Sequence, residues 1–167
     1  MTVDDVCAEA GVSKGAFYGY FEQKQDLLIA LLEDDAGELD RELDRITEEK
    51  LSSVERVRRF AQVMLARGED PARVQVRADL WSELLTDDHV RDRLAESMRR
   101  RRELVRSWVQ QGVRAGELAP IPENALASML LALTDGLMLH GALDPGAFRW
   151  RNVRRAIDVL LAGIAAS

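Results

Sequence analysis

A single cysteine, Cys7, rules out an intramolecular disulfide framework in the 167-residue chain and fits a reducing cytosol. With only two histidines besides, His89 and His140, no metal-ligand spacing can be found. A phosphate-cradling glycine loop and a nucleophile motif are also missing, which argues against an enzyme and against a cofactor. Aromatic residues make up 5% of the chain and β-branched residues are sparse, so strand signals are missing too. There is no excess of basic charge: 23 Lys and Arg face 29 Asp and Glu, for a net charge of −6. No global field advertises nucleic acid, and any DNA contact must come from a few locally placed cations. The opening MTVDDV has early acids and no continuous apolar stretch, so no signal peptide is expected. The most membrane-like run, residues 125–143, is interrupted by Asp135 and His140 and has Arg-rich segments on either side. One charge at mid-span costs about 2.5–3.5 kcal/mol even on insertion scales. This run is therefore expected to be a helix buried between other helices, with no membrane partner.

What remains is rich in Leu, Ala, Arg and Glu, with 47% apolar and 31% charged residues, the composition of a folded helical protein. Start and stop signals divide it. Thr2-Val3-Asp4-Asp5 has the form of a capping box opening a short helix that Gly11 ends, and Ser13 is placed to cap a second. A long amphipathic helix is predicted from about Lys24 into the late 40s, with Leu27, Leu28, Leu31, Leu32, Leu39, Leu43 and Ile46 as its apolar positions. Ser52-Ser53-Val54-Glu55 opens the next helix and Gly68 closes it. Asp70-Pro71 and Asp144-Pro145 each pair an N-cap residue with a proline at the first helical position. Thr86 or Asp87 opens a long charged helix ending near Gly116, and Pro122 opens the apolar one. Val153, Ile157, Leu160, Leu161 and Ile164 form the stripe of a last helix, from about residue 147 to 165. No repeat or low-complexity tract appears, and the fold class is all-α.

The stretch GVSKGAFYGYFEQKQDLL, residues 11–28, conflicts with its own helical spacing. Gly15 and Gly19 stand inside it, each costing a helix about 1 kcal/mol relative to alanine. Lys24 stands at a helix N-terminus, where a cation is disfavoured. On a wheel, Ala16, Phe17, Tyr20 and Phe21 form a packing side shared with Val6 and Val12, while Lys14, Gly15, Tyr18 and Gly19 face the other way. The second side suits a partner that approaches closely. Cys7, small enough for two helices to cross, and Gly11 four residues later have the spacing of a helix-turn-helix. Lys24 and the free amides beside it can meet a phosphate. Local rules broken together at one surface are typical of a functional site.

At these residues, TVDDVCAEAGVSKGAFYGYFEQKQDLL resembles the DNA-binding signature of the TetR family of bacterial transcriptional regulators. The resemblance implies a helix-turn-helix DNA-binding domain over residues 1–30 and a helical effector-binding and dimerisation domain over residues 31–167. Carried over by position, Lys14, Gly15, Ala16 and Gly19 fall where the family meets base edges, with Ser13 at the start of that helix. Tyr18, Tyr20 and Lys24 fall where it holds phosphates, and Thr2 is a further phosphate candidate. Only Lys14 offers a side chain suited to a guanine edge, so DNA shape is expected to contribute. Family members carry another helix before the TVDDV segment. The chain is therefore expected to lack that first helix, by truncation or by numbering.

By the same resemblance, the last two helices pair with a second subunit, through Leu126, Leu130, Leu133, Leu137, Val153, Ile157, Leu160 and Ile164. The middle helices surround an effector pocket, for which Phe60, Met64, Trp81, Leu85, Met98, Trp108, Met129 and Met138 are the bulky, adaptable candidates. Asp135 and His140 are available as polar contacts. The run Arg99-Arg100-Arg101-Arg102 points all around a helix, so it reads as solvated charge rather than a binding stripe. The expected function is that of a cytoplasmic repressor that binds a palindromic double-stranded DNA operator as a homodimer and is released by an unidentified small-molecule effector. The alternative is a helical protein-interaction module that no longer binds DNA.

Overall fold

The computed structural model describes residues 2–70, 72–74, 76–78, 87–146 and 148–165. Among these, the helices are α1 (Val3–Ala10), α2 (Lys14–Tyr20), α3 (Lys24–Glu48), α4 (Ser53–Gly68), α5 (Asp88–Ala115), α6 (Glu123–Leu143) and α7 (Trp150–Ile164). Residues 72–74 and 76–78 are also helical. The described residues contain no strand, only an isolated bridge between Leu118 and Ala165, and the fold is all-α as the sequence implies.

The helix ends follow their caps. Thr2 Oγ1 accepts the Asp5 N–H at 3.2 Å while Asp5 Oδ2 accepts the Thr2 N–H at 2.7 Å, a reciprocal box that satisfies two orphan donors. Those contacts hold the Asp5 carboxyl below its ordinary range. Ser13, Ser52 and Asp87 accept the first free amides of α2, α4 and α5. Gly11 and Gly116 end α1 and α5 at φ of 65° and 71°, the left-handed region that favours glycine. Asp70 caps the segment after α4 by accepting the Ala72 N–H at 3.0 Å, while Pro71 lies outside the described residues.

The second Asp-Pro signal works differently. Asp144 closes α6, its N–H bonding to the His140 carbonyl at 3.0 Å, and α7 begins only at Trp150. Packing decides this. A Cβ on Gly141 would stand 2.7 Å from the Trp150 ring, and one on Gly68 would stand 3.1 Å from it, so the connection serves to seat an indole against two bare backbones.

The core forms around α4, which packs against α3, α5, α6 and α7. Val57, Phe60, Met64 and Leu65 of α4 meet Leu39, Leu43 and Ile46 of α3, Val105, Trp108 and Val109 of α5, and Ile157 and Leu161 of α7. A smaller cluster of Leu28 and Val90, with Ile29, Leu32 and Val76 against it, sits nearer the N-terminal helices. In α1 and α2 the buried residues are Cys7 and Phe17 alone. Ala16 and Tyr20, expected on the packing side, are exposed, Tyr20 at 86%, since among the described helices α2 packs chiefly against α1, through Phe17.

The apolar helix α6 is long and apolar enough to cross a membrane by length and composition, but it is not buried on most faces as expected. Leu126, Leu130, Leu131, Thr134 and Met138 face the core. Met129, Leu133, Gly136, His140 and Leu143 recur at helical spacing on the opposite face, with Met129 66% exposed. On α7, Val159, Leu160 and Gly163 form a comparable outward strip.

Candidate nucleic-acid interface and internal cavity

Both glycines singled out in the sequence lie within α2 rather than in loops. A Cβ on Gly19 would meet nothing within 4 Å, and one on Gly15 would meet only Ser13 Oγ at 3.7 Å. Neither position is demanded by the protein's own packing or by a positive φ. Together with Lys14 and Tyr18 they form an exposed face on one side of the helix, with Tyr20 beside it. The Tyr18 ring is braced edge-on by Phe17, centroids 5.3 Å apart. Lys24 is the first residue of α3, where the Asp26 carboxylate accepts the Gln23 N–H at 3.0 Å and supplies the negative charge that a helix N-terminus favours. The Ser13 and Thr2 hydroxyls are engaged as caps.

The Lys14 ammonium is already occupied, with its Nζ 2.7 Å from Asp4 Oδ1 on α1. The hydrogen bond that Lys14 donates to Asp4, and then the Asp4 charge, raise the Lys14 pKa. Sequence reasoning treated Asp4 only as a capping-box residue and missed this pairing.

A cavity of about 460 Å³ lies in the body. α3 lines it with Leu31, Leu32, Asp35 and Glu38, and α4 with Met64. The segment after α4 adds Arg73, Val76 and Arg77, α5 adds Leu94, Ser97, Met98 and Arg101, and α6 adds Leu131 and Asp135. Of the residues expected to line a pocket, Met64 and Met98 do so. Phe60 and Trp108 are instead fully buried in the core, where their size serves packing, and Met129 faces outward from α6. Met138 borders a separate small cleft of about 30 Å³. Trp81 and Leu85 lie outside the described residues. Asp135 lines the cavity, whereas His140 is on the outer face of α6.

One wall is held by charge. Asp35 Oδ1 bonds both Arg67 and Arg73, and its main-chain carbonyl accepts from Arg67 Nη2 at 2.7 Å. Arg73 also reaches Glu38 Oε2 at 2.7 Å and Asp70 Oδ2 at 3.2 Å, and the Glu38 hydrogen bond raises its pKa above the usual guanidinium value. Deeper in, Arg77 Nη1 meets Asp135 Oδ1 at 2.9 Å. Burial still pushes the Asp135 carboxyl upward, a desolvation that the Arg77 charge offsets only in part.

The four-arginine run is divided by the fold. Arg99 and Arg100 are exposed as expected, but Arg101 is buried and borders the cavity. The signal for this was present. Val90, Leu94, Ser97, Arg101, Val105 and Trp108 share one face of α5, so Arg101 stands in the middle of an apolar stripe.

Among the expected dimer residues, Leu126, Leu130 and Ile157 are buried within the subunit. Leu137, Val153 and Ile164 are half-buried, and Leu133 and Leu160 are on the surface. The outward strips contain Leu133 and Leu160 together with Met129 and Leu143 on α6 and Val159 and Gly163 on α7. A periodic stripe contains both faces of such helices, and only packing separates them.

A helix-turn-helix carried on an all-helical body is the architecture of a DNA-binding transcriptional regulator. Residues 53–166 match the family described as BetI-type transcriptional repressor, C-terminal, and residues 1–31 match bacterial regulatory proteins, tetR family. The chain belongs to the TetR family. Its sequence is 26% identical over 138 residues to the nucleoid occlusion factor SlmA of Vibrio vulnificus, covering 81% of this chain and 70% of that protein. Among solved structures, the MbdR regulator from Azoarcus sp. CIB superposes with a TM-score of 0.81 at 22% identity, over 96% of this chain and 86% of that one. That likeness is one of fold. The regulatory protein TetR from Rhodobacter sphaeroides gives a TM-score of 0.72 at 26% identity, over 86% of this chain and 79% of the other.

Proposed function

We propose that this regulator is a cytoplasmic homodimeric repressor that binds a palindromic operator through α2 and is released by a small molecule bound in the internal cavity. The observation that carries the reading is the dual role of α3. The helix begins at Lys24, beside the DNA-facing surface, and the same helix lines the cavity with Leu31, Leu32, Asp35 and Glu38. From Lys24 to Leu31 is about 10 Å along a rigid helix at about 1.5 Å per residue. A ligand that fits the cavity better in one tilt of α3 biases the placement of Lys24 and of the helices before it. It shifts the population by its difference in affinity for the two states.

Within this reading, residues 1–30 form the DNA-binding domain and residues 31–167 the effector-binding and dimerisation domain, with the boundary inside continuous α3. Lys14, Gly15, Ala16 and Gly19 enter the major groove, while Tyr18, Tyr20, Lys24, Ser13 and Thr2 border the phosphates. The outward apolar strips of α6 and α7 support pairing with a second copy, which places two α2 helices on half-sites about one helical turn apart.

Fluorescence anisotropy on DNA flanking the protein's own gene, with an unrelated duplex as control, tests the reading. Site-selective binding that weakens steeply with salt is expected. Equal affinity for both duplexes, or none on a broad library of sites with the chain monomeric by light scattering, favours an interaction module instead.

The Asp4–Lys14 pair supplies a finer prediction. Binding DNA through Lys14 requires giving up an exposed ion pair, a weak contact in water. Asp4→Asn removes that competitor and one negative charge from the interface, so operator affinity at fixed salt is expected to rise about two- to tenfold. Unchanged affinity in the same titration removes Lys14 from the contact surface.

A further inference from the structure

The inner end of the cavity carries donors without acceptors. Arg101 is 6% exposed and Ser97 4% exposed, and both border the cavity from the same face of α5, four residues apart. Arg101 Nε and Ser97 Oγ are buried without a hydrogen-bond partner among the described residues. The carboxylate paired with Arg101 is Asp40, and its Oδ1 lies 3.9 Å from Nε, beyond hydrogen-bond distance. The other acids near the inner end are committed elsewhere: Asp35 and Glu38 to Arg67 and Arg73, and Asp135 to Arg77. Burial lowers the Arg101 pKa first, and next to burial the Arg77 charge weighs on it more than any single carboxylate does.

Leaving the Nε–H of a buried guanidinium without an acceptor is costly, and an unsatisfied buried group in a folded protein calls for an explanation. The surrounding walls narrow the choice. Leu32, Met64, Leu94, Met98 and Leu131 make the cavity mainly apolar, so the missing group arrives on an apolar body. A neutral ligand gives the Arg101 Nε–H no anionic acceptor, and a cation adds to the repulsion between Arg77 and Arg101. A carboxylate has the planar, two-oxygen geometry that matches the guanidinium fork, and Ser97 can donate to the same group.

We propose that the cavity binds an amphipathic carboxylate, with its anionic head held by Arg101 and Ser97 and its hydrocarbon body laid against Leu32, Met64, Leu94 and Met98. This assignment rests on reading the cavity as the effector site and names the chemical class of the effector.

The test is calorimetric titration of the full chain, without DNA and below micellar concentrations. The probes are hexanoate, decanoate, palmitate and phenylbutyrate, with decanol and decyltrimethylammonium as neutral and cationic counterparts. At least one acid is expected to bind at least tenfold more tightly than either counterpart. Hydrogen bonds to a charged group of this kind correspond to about a ten- to hundredfold loss of acid affinity in Arg101→Met, with decanol unaffected. Ser97→Ala is expected to lose several-fold and, removing only one oxygen, to remain folded if Arg101→Met does not. The proposal is overturned if none of the acids binds, if the ammonium binds best, or if Ser97→Ala and a folded Arg101→Met bind the acid as the unaltered chain does. Adding the acid to the protein–DNA complex separates the two readings. Binding without any change in DNA affinity keeps the ligand class and removes the effector role.

Discussion

Asp35→Ala is expected to lower stability by about 3 kcal/mol, seen in urea unfolding as a lower midpoint with an unchanged slope. Its carboxylate serves three arginines, bonding Arg67 and Arg73 directly and standing 4.0 Å from Arg77. Arg67 is 7% exposed and its remaining acid, Glu42, lies 3.6 Å away, so losing Asp35 leaves a buried cation with a counterion beyond hydrogen-bond distance. Breaking a buried pair by removing one partner typically costs about 3–5 kcal/mol. The lower figure applies here because Asp35 is itself a quarter exposed and Arg73 keeps Glu38 and Asp70. Asp34→Ala, one residue away and exposed, is the control and should move stability by no more than about 0.5 kcal/mol. A loss below about 1 kcal/mol in Asp35→Ala would mean that the cluster behaves as a solvated surface pair.

Gly19→Ala is expected to move stability and function in opposite directions. The added methyl meets open space, so the helix gains its propensity difference, about 1 kcal/mol at most, and Tm rises. Operator affinity should fall about tenfold or more, since a side chain now stands where the groove wall approaches and a contact of about 1–3 kcal/mol is disturbed. Gly15→Ala should behave alike, with only Ser13 Oγ near its new Cβ. Parallel thermal melts and anisotropy titrations read the two effects separately. A variant that is more stable and binds the operator unchanged would show that the glycines answer no partner at all, and the DNA-facing assignment of α2 would fall with it.

The helix boundaries were legible because caps are local. Thr2, Ser13, Ser52, Asp87, Gly11 and Gly116 each act within four residues of where they stand. Asp144-Pro145 offered the same local chemistry and was overruled from a distance, by the demand of Trp150 for the bare backbones of Gly68 and Gly141. The helix-turn-helix was legible as a conflict between spacing and residue type, although Tyr20 turned outward where the wheel had placed it inward. The cavity was the least legible part. Bulk alone suggested Phe60, Trp108 and Met129 as lining, but bulk is equally what a core selects, and an apolar face can await a partner outside the chain. Arg101 was obscured by its three arginine neighbours, which made a single inward cation read as part of a solvated run.

The charged wall of the cavity leaves an evolutionary asymmetry. Asp35, Arg67 and Arg73 hold the fold together while shaping the chamber, so altering that side risks the protein before it alters what is recognised. Leu31, Leu32, Leu94 and Met98 border the same space without belonging to the fully buried core, and exchange among apolar residues there carries little structural penalty. If the cavity is the effector site proposed above, its apolar side can change shape while the scaffold stays intact.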